Sequence, residues 1–351
     1  MLSGPRTEPH VSDGPSSGPR RSWLPALLGH RSVQLTIVAW ITGTVVAVAL
    51  AGGELPFHRP DLHHASLGSQ FLAPQLAIVE ALILIAVAFG LTRHRVTPDV
   101  GGRAPDRPIA ARETAWLVGY GIAGLIGGLV LGRALGFHAI SFHLTGTLYG
   151  TTDVVTPAEV AVWAAYNFVV FAVGPYAFFR RRYSATQLNL WSTNRRNDLL
   201  VIVVILAIEA VAELVGLSSA IFGLSARQLA LGLPLTFVVY FIGTVLPTMV
   251  FIQCLLVPRF QRLTESTAST VVLGGITYTL LHCFDGWLAF DSVNAVLLSV
   301  IFLFLQYLGP GMVKTVLTLR TGNAWVHVWA YHAIAPHVLA DSPNVVKIFH
   351  L

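Results

Sequence analysis

Several side chains that a lipid bilayer should exclude recur inside the most apolar stretches of this chain. In "LAIEAVAELVG", Glu209 and Glu213 stand four residues apart and share one helix face. Two carboxyls that close in low dielectric share a proton or hold a metal, unless each is protonated alone or paired with an arginine. In "YTLLHCFDGW", Asp285 follows His282 by one turn. A carboxylate there orients the imidazole as a base or as a ligand, or else the two face water beside Trp287 at the interface. The stretch "NAWVHVWAYHAIAPH" adds His327, His332 and His337. Charge near mid-bilayer costs several kcal/mol, so each of these residues is a candidate for function. As a metal set, His282, Asp285, His332 and His337 suit Zn²⁺ or Fe²⁺, which take neutral imidazoles and carboxylates.

Spacing ranks the three clustered histidines. Steps of five turn an α-helix by about 140°, so the three are expected not to share a face, and at most two to reach a common centre. His332 is the principal candidate: it lies nearest mid-span, on the face of Trp325, Trp329 and Pro336, where the proline should kink the helix and free a carbonyl. His337 is expected at the rim of the site and His327 in a structural role. Glu80, in "LAIVEALILI", is expected to pair helices. At a rise of about 1.5 Å per residue, Glu209, Glu213, His282, His332 and His337 all fall in the middle or outer half of their spans, so a common site is allowed.

The elements that must position them are helices. The 351 residues are 54% hydrophobic and 11% charged, far below the roughly 25% charged content of soluble domains. Nine apolar runs, each able to cross a hydrocarbon core of ~30 Å, cover roughly 33–52, 71–91, 114–135, 157–179, 198–222, 228–257, 267–283, 291–309 and 323–340. The expected fold class is therefore all-α, a polytopic membrane protein of about nine transmembrane helices. A disordered cytoplasmic tail (1–30) precedes a three-span section (31–156) and a six-span section (157–351). The net charge of +5 is dispersed over short loops, which points to topology and away from nucleic acid. Arginines cluster at 93–112, 180–196 and 259–262, with Lys314 and Arg320 further on. By the positive-inside rule the N terminus is cytoplasmic. Loop 92–113 reads as a flexible linker, and 136–156 as a longer, less basic outer loop. Cys254 and Cys283 are expected near opposite faces, so a disulfide is not expected. The glycines of "GYGIAGLIGGLVLG" read as helix-packing residues. Few lysines and no organelle signal fit a bacterial plasma membrane.

Residues about 228–340 resemble the CPBP family of CAAX-protease and bacteriocin-processing enzymes, glutamate-dependent intramembrane proteases. "YTLLH" matches its second motif, with Tyr278 and His282, and "TGNAWVHVWAYHAIAP" is similar to its final segment, which makes His332 the last histidine. The first motif, Glu-Glu-x-x-x-Arg, has no counterpart: aligned on "QCLLVPRFQRL", its positions fall on Thr248, Met249 and Gln253, and Pro336 replaces the final asparagine. The resemblance implies a catalytic centre at His282 and His332, and a membrane-embedded, lipidated or prenylated peptide as substrate. Tyr278, Trp325 and Trp329 would then line the substrate path.

Threonine and methionine cannot take a proton from water. Three readings follow. Glu209 or Glu213 supplies the missing carboxylate, so that proteolysis survives with a relocated base. A divalent ion held by the histidines replaces it. Or the chain is an inactive scaffold that binds a partner helix among the membrane lipids. A proton-coupled transporter built on the glutamate pair is a further alternative, although no inverted repeat supports it.

Overall fold

The computed structural model describes residues 29–57, 66–145, 155–216 and 219–351, so nearly all of the expected N-terminal tail lies outside the described residues. The regular secondary structure of those residues is all helical, with no strand among them. The main helices are α1 (Arg31–Leu50), α2 (Leu67–Leu91), α3 (Arg107–Leu135), α4 (Pro157–Arg180), α5 (Arg195–Gly216), α6 (Ala226–Thr264), α7 (Thr267–Leu280), α8 (Val293–Thr321) and α9 (324–348). Seven of them, α1 to α6 and α8, are long and apolar enough to cross a membrane. Each of the nine apolar runs thus contains a helix, but α7 has only 14 residues and α9 is broken into α and π pieces.

Local chemistry sets the helix ends. The Ser225 and Gln228 side chains form a reciprocal capping box at the start of α6, and the Ser292 hydroxyl caps α8. Gly136 and Gly322 close α3 and α8 in the left-handed conformation, at φ 71° and 63°.

Proline changes the helix interiors. Four π-helical stretches, Phe168–Val173, Phe241–Val245, Met249–Leu256 and Ile334–Leu339, contain or run up to Pro175, Pro247, Pro258 and Pro336. Proline has no N–H to donate, and its ring crowds the carbonyl four residues back, so the backbone widens there instead of holding α geometry. The kink expected at Pro336 is therefore a widened segment, preceded by a second π stretch, Val328–His332.

Helix α8 is the centre of the bundle, with two thirds of its apolar window buried, and α1, α2, α7 and α9 pack on it. It meets α7 backbone to backbone. A Cβ on Gly311 would lie 2.8 Å from Gly275 Cα, which is why glycine is needed on both sides of the crossing. That crossing sets His282, two turns beyond Gly275, against Tyr307, one turn before Gly311.

Several arginines read as topology markers also have a structural role. Arg95 pairs with Asp198 and donates to the Thr321 carbonyl, while Arg103 donates to Asn189 Oδ1 and the Gly322 carbonyl. Loop 92–106 is consequently pinned, with a short 3₁₀ turn at Gly101–Arg103, and is not the expected linker. Arg259 lies inside α6, because the helix continues to Thr264; its guanidinium is 2.6 Å from Glu113 and stacks on Phe179 and Tyr183. Lys314 is buried within α8 and marks no loop. Both cysteines are free thiols.

Removing one partner of the buried Arg259–Glu113 pair strands a charge. Arg259→Met is expected to cost about 3–5 kcal/mol, and the double change with Glu113→Leu to recover most of it. Thermal unfolding in detergent reads both; equal loss in the single and double variants would refute the pairing.

Candidate functional site

Asp285 organises the site. Backbone turns at 279–285 fold it back on His282, through Asp285 N–H to the His282 carbonyl. A carboxylate can only accept here, so the 2.9 Å contact between its Oδ2 and His282 Nδ1 places the proton on Nδ1. The Tyr307 hydroxyl donates to the same oxygen at 2.6 Å. The other oxygen, Oδ1, accepts from Ser141 Oγ at 2.7 Å and from the His143 N–H at 3.2 Å. Both residues belong to the loop between α3 and α4, whose Ser141 carbonyl is held in turn by Trp163 Nε1 and Asn167 Nδ2 of α4.

Helix α9 supplies the opposite wall. Its π geometry overturns the expected facing of the histidines: bonds of the i→i+5 type, such as Ala333 N–H to the Val328 carbonyl at 2.8 Å, stack residues five apart on one side. Ring centres of His327 and His332 are 5.9 Å apart, and those of His332 and His337 are 5.1 Å apart. His337 repeats the arrangement of His282, with Nδ1 on Asp341 Oδ2 at 3.0 Å. Both imidazoles are clamped by aromatic rings. Tyr307 stacks on His282 at 3.8 Å, and Tyr240 on His337 at 4.5 Å.

The loop residue His143 joins the two walls, with ring centres 6.1 Å from both His282 and His337. Tetrahedral imidazole ligands at about 2.1 Å from a metal would put ring centres roughly 5 Å apart, a spacing that His332 and His337 already have and that His143 approaches with both His282 and His337. Ligand atoms of His143, His282 and Asp285 already lie within 4.8 Å of one another. Both Asp285 oxygens are committed to four donors, however, which assigns it to orienting His282 rather than to ligation. The Nε2 atoms of His282 and His337, and both ring nitrogens of His332, are buried without a hydrogen-bond partner among the described residues.

A cavity of about 90 Å³ connects this group to the glutamates. Its lining includes His143, His332, His337 and Tyr278 together with Glu80, Glu209, Glu213 and Lys314. Glu209 and Glu213 thus share this cavity with His332 and His337, while His282 and Asp285, expected in the same site, do not line it. Glu80, expected only to pair helices, lines it too. Trp325 and Trp329 do not; Trp329 stacks on Phe237 and Phe241 of α6 instead. At the positions that align with the family's first motif, Thr248, Met249 and Gln253 are all buried, and Thr248 Oγ1 and both Gln253 amide atoms have no partner.

Sequence reasoning missed His143, Ser141, Tyr307 and Asp341. The first two lie outside every apolar run, where a search for polar residues within spans does not reach. The pair His337 and Asp341, four residues apart, was a legible signal.

Comparison with protein-family models, with curated proteins and with solved structures returns no match, so the arrangement described above stands on its own geometry.

Proposed function

We propose that this protein is a metal-dependent hydrolase of the membrane, with His143, His282, His332 and His337 as the ligands of one divalent ion of the zinc or ferrous class. One observation carries the reading. His282 and His337 each hold a carboxylate at Nδ1 and present an unpartnered, buried Nε2 lone pair, the arrangement by which proteins orient metal-binding imidazoles. An ion there would act as a Lewis acid and lower the pKa of bound water. The chain's own residues do the rest: Asp285 and Asp341 fix the imidazole tautomers, Tyr307 and Tyr240 fix the ring planes, and the cavity admits water.

The substrate class rests on the CPBP resemblance, whose two matched histidines, His282 and His332, are both in this group. It is a peptide embedded in, or lipid-anchored to, the membrane. Arginine placement orients the N terminus to the cytoplasm, in a bacterial plasma membrane. A second reading is favoured by the cavity that Glu209 and Glu213 share with His332 and His337: hydrolysis without metal, with a glutamate in place of the missing carboxylate.

Elemental analysis of purified full-length protein, after zinc loading and removal of excess, decides between them. About one equivalent of zinc, with hydrolysis of a lipopeptide probe lost on chelation and restored by zinc, is the expected result. Chelator-resistant hydrolysis that Glu209→Gln abolishes would transfer the role to the glutamate. A protein that neither retains zinc nor hydrolyses the probe would sink both and leave the scaffold.

A further inference from the structure

The α2 and α5 wall of the cavity carries a second polar group that the histidine chemistry does not use. Glu80 of α2 and Glu209 of α5 line it together, and carboxyls gathered on one small cavity in low dielectric need a proton or a cation to neutralise them. Glu213 stands one turn further along α5, and Gln306 and Lys314 of α8 complete the lining. Glu209 is only 3% exposed, yet its Oε2 has no partner; neither has Glu80 Oε1. Lys314, 2% exposed, forms no ion pair with them; its Nζ lies 3.7 Å from the centre of the Tyr278 ring and 5.1 Å from that of Tyr331.

We propose that Glu80, Glu209 and Glu213 form a second cation site, for one hard divalent ion bound through oxygen alone. Three carboxylates set against one lysine leave two negative charges, the charge of one such ion. Carboxylate and amide oxygens select the Mg²⁺, Mn²⁺ and Ca²⁺ class, whereas the imidazoles of the neighbouring centre select zinc or ferrous iron. Two sites of opposite preference then share one cavity, and binding at the carboxylates makes Glu209 a ligand rather than a base. This site does not depend on what the histidines hold.

The test uses Mn²⁺ as the probe, because its free form gives an electron paramagnetic resonance signal that disappears on binding. Full-length protein in detergent is first loaded with zinc, so that the histidines do not compete, and then titrated with Mn²⁺. One Mn²⁺ per chain is expected, displaced by Ca²⁺. Glu80→Gln and Glu209→Gln should each weaken it at least ten-fold with little change in shape, while His327→Ala, which does not line the cavity, should leave it intact. Thermal unfolding of each variant confirms that it is folded. Unchanged Mn²⁺ affinity in both glutamine variants, or no Mn²⁺ or Ca²⁺ binding by the wild type, would overturn the proposal. Failure of zinc loading with Mn²⁺ binding retained would remove only the histidine reading.

Discussion

Replacing His337 by alanine should weaken zinc binding by about 100-fold or more and abolish any hydrolysis that depends on it. Four-ligand zinc sites bind with roughly 10–16 kcal/mol, so one ligand accounts for about 3 kcal/mol, equivalent to about two orders of magnitude in Kd. His337 tests the assignment better than His332, for a geometric reason. Its Nδ1 is held by Asp341 and its ring lies under Tyr240, so Nε2 has one direction in which to point. The same substitution at His327, which stands a further turn from His143, should leave affinity within a few-fold. Competition against a chromophoric chelator measures all three, and equal effects at His327 and His337 would show that the π-helical ladder, rather than a centre, holds the ion.

Asp285→Asn is the second change expected to have a large effect, and it removes no ligand. Asp285 accepts from four donors: the Ser141 hydroxyl, the His143 N–H, His282 Nδ1 and the Tyr307 hydroxyl. An asparagine offers one acceptor oxygen and one amide donor. In either orientation the amide nitrogen meets two of those donors, inside a site that is 2% exposed. Turned towards His282, it reverses the tautomer and removes the Nε2 lone pair; turned towards the loop, it releases Ser141 and His143. A 10- to 100-fold loss of zinc affinity follows from the weight that orienting carboxylates carry. An unsatisfied buried donor adds a stability loss of about 1–3 kcal/mol. Zinc competition and thermal unfolding of the same preparation separate the two. Wild-type affinity in Asp285→Asn would mean that Asp285 orients nothing that binds metal.

These two residues also mark the division between what pattern reading reaches and what it does not. His282 and Asp285 are adjacent in sequence and polar within apolar surroundings, so both are visible without coordinates. Their partners are not. His143 belongs to a loop whose sequence, "GFHAISFHLTG", has nothing to distinguish it from an ordinary outer loop. It becomes part of the site because Asn167 and Trp163, on the next helix, hold the Ser141 carbonyl. The histidine ladder failed for a different reason. An angle of about 100° per residue assumes α geometry, and prolines and glycines in this chain permit π segments in which a five-residue step returns to the same side. Lys314 and Arg259 were misplaced because charge counts locate loops only on average. A lysine facing two tyrosines, or an arginine facing a buried glutamate, is stable within a bundle, and only packing reveals it.

Composition and hydropathy alone determined the helical class, the positions of the seven helices long and apolar enough to cross a membrane, and the polar residues that lipid would not tolerate. Each depends on interactions with solvent or lipid that the sequence itself specifies. Which of those polar residues meet was decided by the tertiary structure. The Gly275–Gly311 crossing brings α7 against α8, the π segments of α9 turn three histidines to one side, and a pinned loop delivers a fourth. Such contacts depend on the approach of one backbone to another, over distances along the chain at which no local periodicity is felt.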